Sequence, residues 1–279
     1  MNKLGVLLIR GSGDSGFKRQ EKFIERLNKR LKKKHINPET ILYAIVDWYA
    51  PLQEQQNKLM DRLFNAANIK VKSRLIRKLL LSNISDLITY GGKPERRGGE
   101  AYKETHKLVH KSIMELKNHL PVGAPMIILA SSMGTEIIND YIHDRQKAEA
   151  NDPFAGSPFE RFETLVGLFT FGNNIPIFAA SFDIDTLMPI QFPMPELADH
   201  LKSIAVWENY YDKNDPLGYP IKFINHLYEN ANVTDIQLGV GNPLSSWNIL
   251  SHFGFWTSDK VEKRICSFIS EVMQVLPQA

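Results

Sequence analysis

Six short apolar runs, most of them separated by amphipathic stretches, constrain the fold of this chain more than any other feature. Leu4–Ile9, Thr40–Trp48, Met126–Ala130, Leu165–Phe171, Ser203–Trp207 and Val233–Val240 have the length and composition of buried strands. Pro38 and Pro51 bound the second of them. Phe17 to about Lys34 reads as a helix, with Phe23, Ile24, Leu27 and Leu31 on one face and lysines and arginines opposite. About Gly99–Leu120 is a long helix that turns Leu108, Val109, Ile113 and Leu116 inward, and Met133 to about Ala148 is the next. Asp259–Val275 closes the chain as an amphipathic helix with Val261, Ile265, Ile269 and Val272 on one side. Strands alternating with helices predict an α/β fold: a mostly parallel central sheet of about six or seven strands with helices on both faces.

The remaining stretches carry weaker patterns. Residues 51 to about 82 read as helix in two pieces, broken near Asn65–Ile69, and Asp86–Tyr90 as a short strand or an extended loop. The whole stretch 50–98 is the candidate helical insertion or cap on a single domain spanning 1–279. Residues 149–161 form a loop rich in Asp, Pro, Gly and Ser, and 173–200 carry four prolines and little periodicity. Tyr219–Glu229 reads as a short helix. With 43% hydrophobic and 23% charged residues, such a chain buries a sizeable core.

Charge and cysteine content narrow the partners. A net charge of +3 gives no argument for nucleic acid. The basic run Lys29–Lys34 is most simply a solvated helix end, where cations suit the dipole, although peripheral contact with an anionic membrane stays open. The single cysteine, Cys266, allows no internal disulfide and reads as a core thiol. The first apolar run is closed by Arg10, too short for a signal-peptide core, and no run of apolar residues is long enough to span a bilayer. A cytoplasmic protein is expected.

The chemistry concentrates at Ile127-Ile128-Leu129-Ala130-Ser131-Ser132-Met133-Gly134, where an apolar strand runs through small-x-Ser-x-Gly straight into a helix. Such a turn strains the serine backbone and lifts its hydroxyl above the sheet, and it needs small flanking residues, here Ala130 and Gly134. A serine hydroxyl is a weak nucleophile without a base, and that base needs a carboxylate to orient it. In the α/β-hydrolase arrangement, which this strand–serine–helix turn resembles, the chain order is Ser, then acid, then His. Asp212 and Asp215 follow the fifth apolar run, and His252 follows the sixth. Asp215, immediately before Pro216, is the favoured acid, and Asp212 is the alternative.

These residues resemble the α/β-hydrolase superfamily, of the lipase and esterase type. The resemblance covers the chain from Leu4 to the last helix, outside 50–98. It implies hydrolysis of a carboxylic ester, with thioester and amide open, and needs no metal or organic cofactor. By the same resemblance the loop Arg10-Gly11-Ser12-Gly13 is the oxyanion loop, and the backbone N–H groups of Ser12 and Met133 form the oxyanion hole. The first two strands of that superfamily are expected to be absent. The chain departs from the family pattern at Arg10 and Ser131, where histidines are common, and at Ala130, where the elbow has its first glycine. Arg10 and Ser131 are candidate substrate-binding residues; Arg10 either attracts an acidic substrate group or pairs with a local carboxylate.

Two other readings compete. The chain could be a non-catalytic member of the same fold that acts as a binding or interaction protein. Residues 11–16 also spell Gly-x-Gly-x-x-Gly, the dinucleotide fingerprint, with Asp47 as the wanted acid, but this leaves the ordered Ser, Asp and His unexplained. His106, His110 and His119 lie at mixed helical spacing without a carboxylate motif, which argues against a metal site. Trp207, Trp247 and Trp256 line a pocket or pack the core.

Overall fold

A computed structural model describes residues 2–12, 18–48, 58–63, 99–147, 156–240, 252 and 254–277, together with Arg77, Leu81, Ser85, Ile88 and Tyr90. The strands are β1 (Leu4–Ile9), β2 (Ile41–Val46), β3 (Met126–Ser131), β4 (Leu165–Phe171), β5 (Val206–Tyr211) and β6 (Val233–Gln237). They form one sheet in the order β2-β1-β3-β4-β5-β6, and every pairing is parallel. Long helices among the described residues are α1 (Lys18–Lys33), α2 (Glu100–Lys117), α3 (Met133–Lys147) and α4 (Asp259–Val275). The protein is therefore an α/β protein built on an open six-stranded parallel sheet.

The chain first steps from β1 outward to β2, then crosses back over β1 to β3 and continues in that direction. Keeping each crossover right-handed while the direction reverses places the connecting helices on opposite faces. Thus Phe23, Leu27 and Leu31 of α1 share a core with Val261, Ile265 and Ile269 of α4 on one face. Val109 and Ile113 of α2 share the other core with Ile137, Ile138 and Ile142 of α3. The central strands β1, β3 and β4 are buried along their whole length, which is why they read as unbroken apolar runs. Arg26 and Arg30 of α1 both bind the buried Glu262 of α4, closing one face. Among the described residues no helix is long and apolar enough to cross a membrane.

Several elements differ from the sequence expectation, each for a local reason. The fifth strand lies at Val206–Tyr211, displaced from 203–207, because its second half carries polar residues that only tertiary partners make burial-compatible. Asn209 donates to Asp235 at 2.6 Å, and Glu208 takes Arg264 at 2.8 Å and the Tyr210 hydroxyl at 2.5 Å. In 219–229 only His226–Glu229 is helical, because Asp235 captures the N–H groups of Ile221 and Lys222 and holds them in a loop. Thr40 belongs to a single 3-10 turn, Pro38–Thr40, rather than to β2. Ser85, Ile88 and Tyr90 are helical, where an extended segment was expected over 86–90. The two-piece helix over 51–82, the cap over 50–98 and Trp247 lie largely or wholly outside the described residues.

One ion pair gives a stability prediction. Glu160 lies before β4 and bridges to α2, accepting from Lys117 Nζ at 2.6 Å and from the Ser157 N–H and hydroxyl. Burial pushes its carboxyl up, but these donors outweigh that and bring it from 4.5 down to about 2. A depressed folded-state value stabilises the fold above the unfolded value, and the contribution is lost as pH falls toward about 2. Glu160→Gln should cost ~1 kcal/mol at neutral pH, since Lys117 is partly solvated. Urea melts of the two proteins should converge on acidification through that window; a constant gap would refute the assignment.

Candidate active site

The carboxyl ends of β1 and β3 are adjacent, and the connections leaving them run in opposite directions along the sheet. A crevice opens at such a point, and ligands of open α/β sheets bind there. Ser132 directly follows β3 at this position. Its φ is +52°, in the left-handed region that costs a non-glycine residue about 1–2 kcal/mol. The surroundings enforce this conformation. The Ser132 N–H donates to Phe171 O at 2.8 Å, and its carbonyl accepts from the Thr135 N–H at 2.8 Å and hydroxyl at 2.6 Å. α3 begins immediately afterwards at Met133.

Two glycines make the turn sterically possible. A Cβ on Gly134 would lie 2.7 Å from the carbonyl oxygens of Ile9 and Arg10, so α3 can start this close to β1 only without one. A Cβ on Gly11 would lie 2.4 Å from the Ser132 Cβ. The loop after β1 is therefore pressed against the Ser132 turn, and Ser12 is buried in it. Of the first turn of α3, the Thr135 N–H is taken by the Ser132 carbonyl, while those of Met133 and Gly134 have no intrahelical acceptor, donors suited to an oxyanion.

His252 and Asp215 form a buried pair, with Nδ1 2.6 Å from Oδ2. Asp215 Oδ1 accepts from the Leu217 N–H at 2.9 Å, which locks the carboxylate orientation. Gly172 (φ +55°) and Gly218 form the floor beneath the pair. A Cβ on Gly172 would lie 2.9 Å from the imidazole, and one on Gly218 would lie 2.4 Å from Asp215 Oδ2. The imidazole thus sits over Gly172, one residue beyond the Phe171 carbonyl that anchors Ser132. The end of β4 thus anchors Ser132 through the Phe171 carbonyl and carries the His–Asp pair over Gly172.

Asp212 has a different environment. Its Oδ1 accepts from the Asn214 N–H at 2.8 Å and its Oδ2 from the Val240 N–H at 2.7 Å, tying the loop after β5 to the chain leaving β6. Of the two candidate acids, Asp215 is the one beside the imidazole.

Arg10 and Ser131 both turn to partners within the protein. Arg10 Nη2 pairs with Asp47 Oδ1 at 2.9 Å, and Trp48 Nε1 donates to the Arg10 carbonyl at 2.8 Å. This is the local pairing that the sequence left as an alternative to substrate attraction, and it also engages the acid wanted by the dinucleotide reading. Gly13 and Gly16 of that fingerprint lie outside the described residues. Ser131 Oγ accepts from Trp256 Nε1 at 2.9 Å. Trp207 and Trp256 are both buried in the core. His106 contacts Tyr90 and His110 contacts Tyr141, while the His119 ring sits 2.8 Å from Glu115 O. Cys266 is buried in α4, and burial pushes its thiol up.

One site residue escaped the sequence reading. Asn174 is buried, and its Oδ1 accepts the Ser132 hydroxyl at 3.1 Å. Among the described residues Ser132 Oγ makes no hydrogen bond to His252. The available signal was positional: Gly172-Asn173-Asn174 directly follows a central strand at its carboxyl end, where site residues of parallel sheets gather. Beside Asn174, a cavity of about 390 Å³ opens between α3 and the segment after β4, with Ile175, Phe178, Glu136 and Asp140 among its lining. Burial and these two carboxylates push the Tyr228 phenol on its wall upward.

A scan against models of known protein families finds no match, and a search of curated protein sequences finds no significantly similar relative.

Proposed function

We propose that this protein is a serine hydrolase of the α/β-hydrolase type that cleaves a carboxylic ester. The observation that carries the reading is a serine held at φ +52° on a strand–helix turn, with a buried His–Asp pair seated at the neighbouring strand end. The all-parallel sheet is compatible with that superfamily. In the proposed reaction Ser132 Oγ attacks the acyl carbon and His252 Nε2 takes its proton. Asp215 holds the Nδ1–H, which keeps the ring in the tautomer whose Nε2 is basic, and stabilises the imidazolium. The N–H groups of Met133 and Ser12 hold the oxyanion. The imidazolium then protonates the departing alcohol, and water attacks the acyl-serine by the same route to release the acid. No step requires a metal or organic cofactor, and the lone buried thiol suits a cytoplasmic setting.

One observation favours a second reading, a binding protein on the same scaffold: the Ser132 hydroxyl is bonded to Asn174 and not to the imidazole. Covalent labelling separates the two. A fluorophosphonate probe should add one phosphonyl group to the wild type, read by intact mass, and none to Ser132→Ala. Folded wild type that stays unlabelled, or label that persists on Ser132→Ala, would sink the hydrolase reading. A series of p-nitrophenyl esters of rising chain length then measures the acyl preference.

A further inference from the structure

Asn174 bridges the nucleophile and the loop that carries the acid. Its Nδ2 donates to Leu217 O at 2.5 Å, and Leu217 lies two residues beyond Asp215. A carbonyl can only accept, so this contact fixes the amide orientation and turns Oδ1 toward Ser132. Oδ1 likewise only accepts, so the hydrogen on the 3.1 Å contact belongs to the serine hydroxyl. A hydroxyl has one hydrogen. While it is directed at Asn174 it cannot be given to His252, and an amide oxygen is too weak a base to remove it. The contact is not a loose one. The Asn174 N–H donates to Thr135 Oγ1 at 3.1 Å, that hydroxyl donates to Ser132 O at 2.6 Å, and both side chains are buried.

We propose that Asn174 is a positioning residue that holds the resting Ser132 hydroxyl off the imidazole. The nucleophile is then armed only when Oγ turns about Cα–Cβ from Asn174 toward His252 as an acyl group enters. This rests on the hydrolase reading above. A neutral hydrogen bond of this kind biases such a rotation by about fivefold. Among the described residues the titratable groups beside the position are His252 and Asp215, with Glu136, Asp140, His143 and Tyr228 lining the adjoining cavity.

The test is the rate of fluorophosphonate labelling of Ser132 from pH 5 to 9 in wild type, Asn174→Ala and Asn174→Asp. The alanine variant should label about fivefold faster with the midpoint of its pH profile unmoved. The aspartate variant keeps the Leu217 contact only while protonated, and it should slow as its carboxylate ionises, releases that carbonyl and grips the hydroxyl more strongly, adding a limb to the profile that the wild type lacks. A structural role alone would slow both variants at every pH with no new limb, and that result overturns the proposal. Equal rates in all three overturn it and leave the hydrolase reading standing. No label on any of them, with circular dichroism showing folded protein, removes both. If the alanine variant does not fold, the near-isosteric aspartate variant decides by the presence or absence of its limb.

Discussion

Asp215→Asn should leave the protein folded and lower kcat on an ester substrate by about 10⁴-fold. The loss follows from hydrogen-bond polarity. The Leu217 N–H requires an acceptor, so the new amide must keep its oxygen there and turn its NH₂ toward His252 Nδ1. The ring nitrogen facing it must then accept, which moves the imidazole hydrogen to Nε2. The nitrogen that should take the serine proton is already protonated. Asp212→Asn is the matched control. Its two oxygens accept from two different backbone N–H groups, Asn214 and Val240, and an amide can serve only one. That variant should lose about 1–3 kcal/mol of stability and much less turnover. Thermal melts and kcat measured side by side check both, and an Asp212→Asn variant as inactive as Asp215→Asn while fully folded would reverse the assignment.

Gly11→Ala should slow the site by about 100-fold, through shape and not chemistry. The added methyl would sit 2.4 Å from Ser132 Cβ, 3.0 Å from its Oγ and 3.2 Å from the Ser131 carbonyl oxygen. Nothing there is the far end of a flexible chain. Either the loop after β1 withdraws, taking the Ser12 N–H with it, or the Ser132 turn shifts. Overpacking of this kind costs about 1–3 kcal/mol, and misplacing reacting groups by about an ångström costs about 100-fold in rate. Gly239→Ala is the comparison, since a Cβ there meets nothing within 4 Å among the described residues, and it should stay within ±0.5 kcal/mol of wild type. Phosphonylation of Gly11→Ala at the wild-type rate would show that the loop does not press on Ser132 as described.

The strands and helices that were legible are those whose burial is carried by side chains alone. β1, β3 and β4 are apolar at nearly every position because both faces are covered, and α4 shows its buried stripe at helical spacing. β5 was misplaced because Glu208 and Asn209 are buried with partners from β6 and α4, and no local pattern announces a distant Arg264 or Asp235. The same blindness hid Asn174, an ordinary asparagine until the Asp215 loop and the Ser132 turn fold against it.

By itself the sequence determined the α/β class and the order of the chemical groups along the chain: an elbow serine after the third strand, acids after the fifth, a histidine after the sixth. Spacing and polarity are local properties and survive in a string of letters. Only the tertiary structure separated Asp215 from Asp212, turned Arg10 toward Asp47 and Ser131 toward Trp256, and gave the Ser132 hydroxyl to Asn174. Each of those outcomes depends on the direction of a hydrogen bond between segments tens of residues apart, and that direction exists only once the chain has closed on itself.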